Sequence, residues 1–339
     1  LQATALVTFL PLGLLGGSLL FGPIVDRFGN KALLLLSCLV VLLGLEGIAF
    51  FTSIPLLQVS IIGIGLGGGI LNGETNALVA DISNEAEKGS RLSLLGAFYG
   101  IGALGIPVLL SFLSEYYSFE IILQGTGMVM LIGILFCLGI RFPAPKQPQG
   151  FPIKEGLGLL KESSLLLLSF ILFFQSGIEG VCNNWTTLYL GQTTGIPENR
   201  ALIALTCMVA GLTVARLLLV VLFKKIKQET VLRTSLITAV AGFALLTFAP
   251  GFARAAIGMA LIGAGLASTF PVILSIIGSR YASLSGTAFS VALVIALIGQ
   301  TLLNSLTGII SQGYGIVVYP YMMIVSLLIM LLLFKRSLK

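Results

Sequence analysis

Long apolar runs separated by short polar breaks divide the chain into eleven segments, near 4–22, 32–51, 55–81, 92–113, 119–140, 164–190, 199–223, 232–249, 253–278, 287–311 and 315–334. An α-helix rises about 1.5 Å per residue, so about 20 apolar residues cross the hydrocarbon of a bilayer. Backbone groups in lipid must be satisfied within the segment, so each run is predicted to be a membrane-spanning helix. One connection stands apart from the short ones. Residues 141–163, RFPAPKQPQGFPIKEGLGLLKES, are rich in Pro, Gly and Lys and read as a linker. The predicted fold is an all-α integral membrane protein made of two helix bundles, 1–140 and 164–339, joined by 141–163.

The two bundles are expected to be copies of one plan. Gly63-Ile-Gly65-Leu-Gly67 lies over Leu261-Ile-Gly263-Ala-Gly265 at an offset of 198, and the same shift carries 32–51, 92–113 and 119–140 onto later spans. Two halves in the same orientation are related by an axis along the membrane normal. Moved back by 198, the span 164–190 would precede Leu1, and the chain opens on Leu rather than Met. The expectation is therefore eleven of twelve helices, the first helix of the first half being absent.

Composition narrows the class. Apolar residues make up 57% of the chain and charged residues 9%, where a soluble domain carries about a quarter charged. The net charge of +6 is spread over short loops, which excludes a nucleic-acid surface. There is no histidine, and Cys38, Cys137, Cys182 and Cys207 all lie in apolar runs, so they read as small hydrophobes. No metal, cofactor or catalytic constellation is expected, and the chain reads as no enzyme. Gly63-x-Gly65-x-x-Gly68 has the form of a dinucleotide fingerprint but no strand precedes it. Sixteen Lys and Arg residues fall on the side of the Asp26 loop and two, Arg200 and Arg254, on the other. Basic residues stay inside, which predicts a cytoplasmic C-terminus.

The first polar break, Gly22-Pro-Ile-Val-Asp26-Arg27-Phe-Gly29-Asn30-Lys31, reads as a tight hinge at the membrane surface. Gly22 and Gly29 permit close approach or positive φ, and Asp26 is suited to a helix N-terminus. These residues resemble the loop between the second and third helices of the major facilitator superfamily, roughly G-x-L-A-D-R-x-G-R-K. Gly22, Asp26, Arg27, Gly29 and Lys31 match, while Asn30 replaces a basic residue. Asp81, near the same end of its span, is expected to reach Arg27 or Lys31 as a structural gate pair.

Ionisable groups inside membrane spans are costly and mark functional sites by default. Gln175, Glu179 and Asn183 recur at i, i+4 and i+8 and share a helical face. A stripe of that length points to a wet cavity, with interhelical hydrogen bonding as the alternative. In 55–81 the glycines Gly65, Gly69 and Gly73 form a ridge, with Asn72 and Asn76 on one flank and Glu74 on the other. Glu74 reads as a substrate or proton ligand. Gln300 and Asn304, with Thr301 and Ser305, form a further patch, open between helix contact and substrate contact. Phe270-Pro271 is expected to kink its helix, with Phe270, Tyr99 and Trp185 as walls for an apolar solute face. Arg216 serves either an anionic group or a structural pair with Glu179 or another carboxylate. Glu46 is expected to reach water.

A second resemblance is finer. Asn72-Gly-Glu74-Thr-Asn76, the run Leu95–Pro107, and Ile178-Glu179 with Trp185 and Tyr189 are similar to the fucose and glucose/galactose permease branch of the superfamily. The resemblance implies a sugar–proton symporter working by alternating access, with Glu74 and Glu179 as proton-coupling residues. It also implies a monomer in the bilayer of a bacterial inner membrane. The alternatives are a proton-coupled efflux antiporter, whose span-5 pattern Gly105-Ile-Pro107 and Leu110-Ser111 break, and a non-transporting receptor.

Overall fold

The computed structural model describes residues 8–150, 152–248 and 251–337. Residues 4–7 of the first expected span, and Lys339, lie outside the described residues. The helices are α1 Phe9–Phe28, α2 Asn30–Phe50, α3 Ile54–Ile82, α4 Lys88–Leu113, α5 Phe119–Gly139, the short α6 Ile153–Leu159, α7 Ser163–Thr194, α8 Glu198–Leu222, α9 Gln228–Phe248, α10 Phe252–Leu266, α11 Thr269–Arg280, α12 Ser285–Tyr314 and α13 Tyr319–Ser337. Among the described residues they supply eleven spans long and apolar enough to cross a membrane, α10 and α11 forming one. The break between those two falls just before Pro271, where the sequence predicts a kink. Proline has no N–H for the preceding turn, and the Gln175 amide takes up the carbonyl of Leu266 at 3.1 Å.

Contacts divide the chain into two units. The first comprises Leu1–Ile82, Ile106–Lys161 and Arg280–Val294, the second Ser83–Gly105, Glu162–Ser279 and Ile295–Lys339. In the first, α3 packs on α1 and α2, and α2 packs on α5. In the second, α10 packs on α8 and α9, and α9 on α13. Shifting by 198 turns the first set of contacts into the second.

The register holds at the level of atoms. A Cβ added at Gly13 or Gly65 would overlap the carbonyl oxygens of Ile62 and Leu10, and one at Gly211 or Gly263 those of Ala260 and Met208. Each pair in the second unit is the pair in the first moved by 198. A Cβ at Gly67 would lie 2.8 Å from the Ser37 oxygen, and one at Gly265 would lie 2.6 Å from the Ser235 oxygen. Lipid offers no hydrophobic drive between helices, so close backbone approach through small residues supplies the van der Waals contact that holds them.

Replacing Gly263 with Ala should therefore lower unfolding stability by about 1–3 kcal/mol, the usual penalty of overpacking. Gly102→Ala is the control, because nothing lies within 4 Å of its added Cβ. Thermal unfolding of both variants in detergent checks this, and equal midpoints would contradict the packing assignment.

Candidate functional site

Two polar clusters stand out, one in each unit. In the first unit the loop between α1 and α2 turns at Gly29, where φ is +81°. Asp26, two residues before the end of α1, is buried. Its Oδ1 accepts from the Gly286 N–H at 3.1 Å, and Oδ2 from the N–H and hydroxyl of Thr287 at 2.9 and 2.7 Å. A carboxylate thus caps the N-terminus of α12, where unsatisfied N–H groups and the helix dipole favour negative charge. Gly22 allows this approach, since a Cβ there would lie 2.5 Å from the Gly286 oxygen.

The linker closes over the same loop. Gln147 donates its N–H to the Asp26 carbonyl at 2.8 Å and its side-chain amide to Ser283 at 3.2 Å. Lys146 pairs with Asp81 at 2.7 Å and hydrogen-bonds Ser285, which also donates to Asp81 at 2.9 Å. This corrects the expected pairing of Asp81 with Arg27 or Lys31. Lys31 is instead drawn to the carbonyls of Leu138 and Ile140, at 2.8 and 3.1 Å. Arg27 is exposed, its guanidinium 4.9 Å from the Phe28 ring. The physical reason is reach, because the linker brings an ammonium group to the open face of Asp81. In the second unit Ser279, 198 residues on from Asp81, hydrogen-bonds Glu85, which also accepts from Lys88 at 2.7 Å. Lys88 and then Ser279 hold the Glu85 carboxyl below the usual carboxylate range. That tie is complete at neutral pH and is lost only as pH falls through the lowered value.

The second cluster centres on Glu179, midway along α7 and partly exposed. Its Oε1 accepts from the Gln175 amide at 2.7 Å, and Asn183 donates to its backbone carbonyl at 2.9 Å. The α7 stripe is therefore a connected chain of hydrogen bonds. On α12, Gln300 and Asn304 lie against Gly180, beside the stripe, where a Cβ would sit 2.6 Å from Gln300 Cγ and 2.7 Å from Asn304 Nδ2. Asn184 donates to Asn304 Oδ1 at 2.9 Å, a contact that reading one face of α7 missed. Trp185 packs on Gly308 of the same helix, a Cβ there lying 3.4 Å from the indole. Phe270, at the start of α11, is half-buried. Tyr189 and Ile178 are buried core, the Tyr189 hydroxyl donating to Leu246 at 3.2 Å.

Arg216 of α8 lies close enough to Glu179 for the two charges to attract, and Tyr99 of α4 joins the same field. The guanidinium donates to the Gly96 carbonyl of α4 at 3.0 Å. It makes no ion pair with Glu179 within 4.0 Å.

Glu74 stands apart. It is 0% exposed, neither oxygen meets a donor at full hydrogen-bond geometry, and its neighbours on α2 are the Leu34 backbone and Cys38. Asn72 and Asn76 are on the other flank of α3, where Asn76 donates to the Asn72 carbonyl at 2.7 Å. A common site for Glu74, Asn72 and Asn76 is therefore not what this structure holds. The position 198 residues on from Glu74 is Val272, also fully buried, so the fold itself asks for an apolar side chain. Glu46, expected to reach water, is half-buried against Gly127.

Known proteins place this geometry. A family model described as the Major Facilitator Superfamily matches residues 1–302. The chain belongs to the Major Facilitator Superfamily. As a member it is a multi-pass membrane transporter and not an enzyme. It is 23% identical over 306 residues to the uncharacterized MFS-type transporter YfkL of Bacillus subtilis, covering 87% of this chain and 76% of that one. It is 30% identical over 163 residues to the multidrug resistance protein MdtH of Aeromonas hydrophila, covering 48% and 39%. Among solved structures, the E. coli fucose:proton symporter FucP superposes with a TM-score of 0.83 at 18% identity, covering 99% of this chain and 92% of that one.

Two stability measurements test the assignments in this transporter. In a double-mutant cycle, Asp81→Asn with Lys146→Met should show coupling of about 0.5–3 kcal/mol, because their side chains are 15% and 25% exposed. The i,i+4 pair Glu87–Arg91 should show less, about 0.5 kcal/mol or below. Glu74→Met should raise stability by about 1–3 kcal/mol by removing unsatisfied buried oxygens; destabilisation would mean that the carboxyl has a partner.

Proposed function

We propose that this transporter is a proton-coupled symporter for a small, hydroxyl-rich solute of the sugar class, working as a monomer by alternating access. The observation that carries the reading is Glu179. It is an ionisable group in the middle of a membrane helix, partly exposed and bonded to Gln175, and the amides of Gln300 and Asn304 pack on the next residue, Gly180. Amides and a carboxylate suit hydroxyl groups, and Trp185, Tyr99 and Phe270 offer apolar surface for a sugar face. The likeness to FucP, described as a fucose:proton symporter, supports this choice.

Glu179 is assigned the coupling proton and Gln175, Asn183, Gln300 and Asn304 the solute. Glu74 is assigned to coupling rather than to solute contact, since α2 and α3 enclose its carboxyl and only their rearrangement would open it. Asn72 and Asn76 are kept as solute ligands on the open flank of α3. Gly22, Asp26, Arg27, Gly29, Lys31 and Asp81 form the structural gate, with Lys146 added to it. The sixteen-to-two distribution of basic residues supports a cytoplasmic C-terminus, and the membrane is assigned as a bacterial inner membrane. Proton-driven drug efflux is the second reading, favoured by the partial likeness to MdtH.

The test is uptake into proteoliposomes of a panel of small polar solutes, L-fucose and D-galactose included, with and without an imposed proton gradient. Wild type should accumulate its solute against a gradient. Glu179→Gln should reduce accumulation at least about tenfold while retaining exchange of solute across the membrane. Undiminished proton-driven accumulation in that variant would remove Glu179 from coupling.

A further inference from the structure

Arg216 is a charge that the helix packing does not require. Its counterpart in the repeat, 198 residues earlier, is Ser18. Both positions serve the same backbone contact: Ser290 donates to the Ser18 carbonyl at 2.5 Å, and Ser93 donates to the Arg216 carbonyl at 2.9 Å. The first unit makes that contact with a small hydroxyl side chain. The second carries a guanidinium that is 7% exposed, although arginine stays charged at any ordinary pH and a buried, unpaired charge is strongly disfavoured.

Its position is nonetheless tightly defined. A Cβ on Gly96 would meet Arg216 Cδ, Nε and Nη1, each at 3.0 Å. One nitrogen is occupied by the Gly96 carbonyl, and Nε is buried with no partner. The natural counter-ion, Glu179, attracts it but makes no ion pair with it within 4.0 Å. Its Oε1 is taken by Gln175, which is itself tied to the α10 carbonyl of Leu266. Away from the helix ends of the second unit, Glu179 and Arg216 are the acid and base that the described spans contain. The elements packed around Glu179 add only weaker titrating groups. Cys182 on α7 interacts with it, Tyr319 of α13 meets Cys182, and Tyr99 of α4 lies toward Arg216. The α12 amides Gln300 and Asn304 pack on its neighbour Gly180, and the α10 carbonyl of Leu266 is taken by Gln175.

We propose that Arg216 is the anchor for an acidic group on the solute, so that the cargo is a hydroxylated carboxylate, a sugar acid, rather than a neutral sugar. The proposal rests on the transport reading above and sharpens it. With Glu179 ionised, the pair is neutral and an entering carboxylate meets a site without net charge. With a proton on Glu179, Arg216 is left uncompensated, and one carboxylate restores neutrality. Anion and proton therefore bind together, one of each, and the loaded site carries no net charge across hydrocarbon. The guanidinium suits this task because its planar donors match a carboxylate.

D-Galacturonate and D-galactose are a matched pair of probes, differing by a carboxylate in place of a hydroxymethyl group. Equilibrium binding to the purified full chain should favour galacturonate at least about tenfold. Arg216→Gln should weaken galacturonate at least about thirtyfold and leave galactose within about threefold, with Arg216→Lys in between because it keeps the charge but not the fork. In wild type, galacturonate affinity should fall by up to about tenfold per pH unit above the titration of Glu179, and Glu179→Gln should flatten that dependence. Preference for galactose in wild type, or galacturonate binding that ignores Arg216→Gln, would overturn this proposal and leave sugar transport standing. Binding and uptake of neither probe, nor of any solute in the wider panel, would overturn the transport reading together with it.

Discussion

Helices in hydrocarbon are held by how closely their backbones can approach, and in this protein that distance is set by glycine facing a carbonyl. Water supplies no drive between apolar surfaces already in lipid, so van der Waals contact and hydrogen bonds must do the holding. Gly65 against Leu10 and Gly263 against Met208 are the same joint made twice, 198 residues apart. Around those joints α3 gathers α1 and α2, and α10 gathers α8 and α9. Each polar side chain then takes its position from a packing frame that leaves little freedom.

The two copies of the frame carry different chemistry. The first unit uses Asp26 to cap α12 and Lys146 to tie Asp81 to Ser285. At the equivalent end of the second unit, Ser279 stands in the place of Asp81 and hydrogen-bonds Glu85. Deeper in, the frame tolerates two departures from its own pattern. Glu74 stands where the other copy has Val272, and Arg216 where the other has Ser18. A charge placed where the duplicate manages without one is a stronger sign of function than a charge the packing needs.

The sequence carried much of this. The eleven spans, the linker and the offset were all visible in the runs of apolar residues, because lipid demands long apolar helices and permits little else. The Gln175, Glu179 and Asn183 stripe was legible because 3.6-residue periodicity places i, i+4 and i+8 together. Asn184 escaped because it lies one residue round the helix, off that face, and its partner Asn304 is 120 positions away. Asp81 was given the wrong partner because Arg27 and Lys31 are near its end of the bundle, while Lys146 belongs to a stretch whose Pro and Gly content says only that it is a linker.

Chain composition and periodicity by themselves determined the class, the number of spans in hand, the repeat and the short list of ionisable groups inside the membrane. Hydropathy is a local property, and one residue's cost in lipid does not depend on its distant neighbours. Which of those groups meet was decided only by the tertiary structure. Pairing depends on helix rotation and on glycine joints far apart in the chain. Those settled that Glu179 is bonded by Gln175 and feels Arg216, that Glu74 is enclosed against α2, and that a linker lysine completes the contact at Asp81.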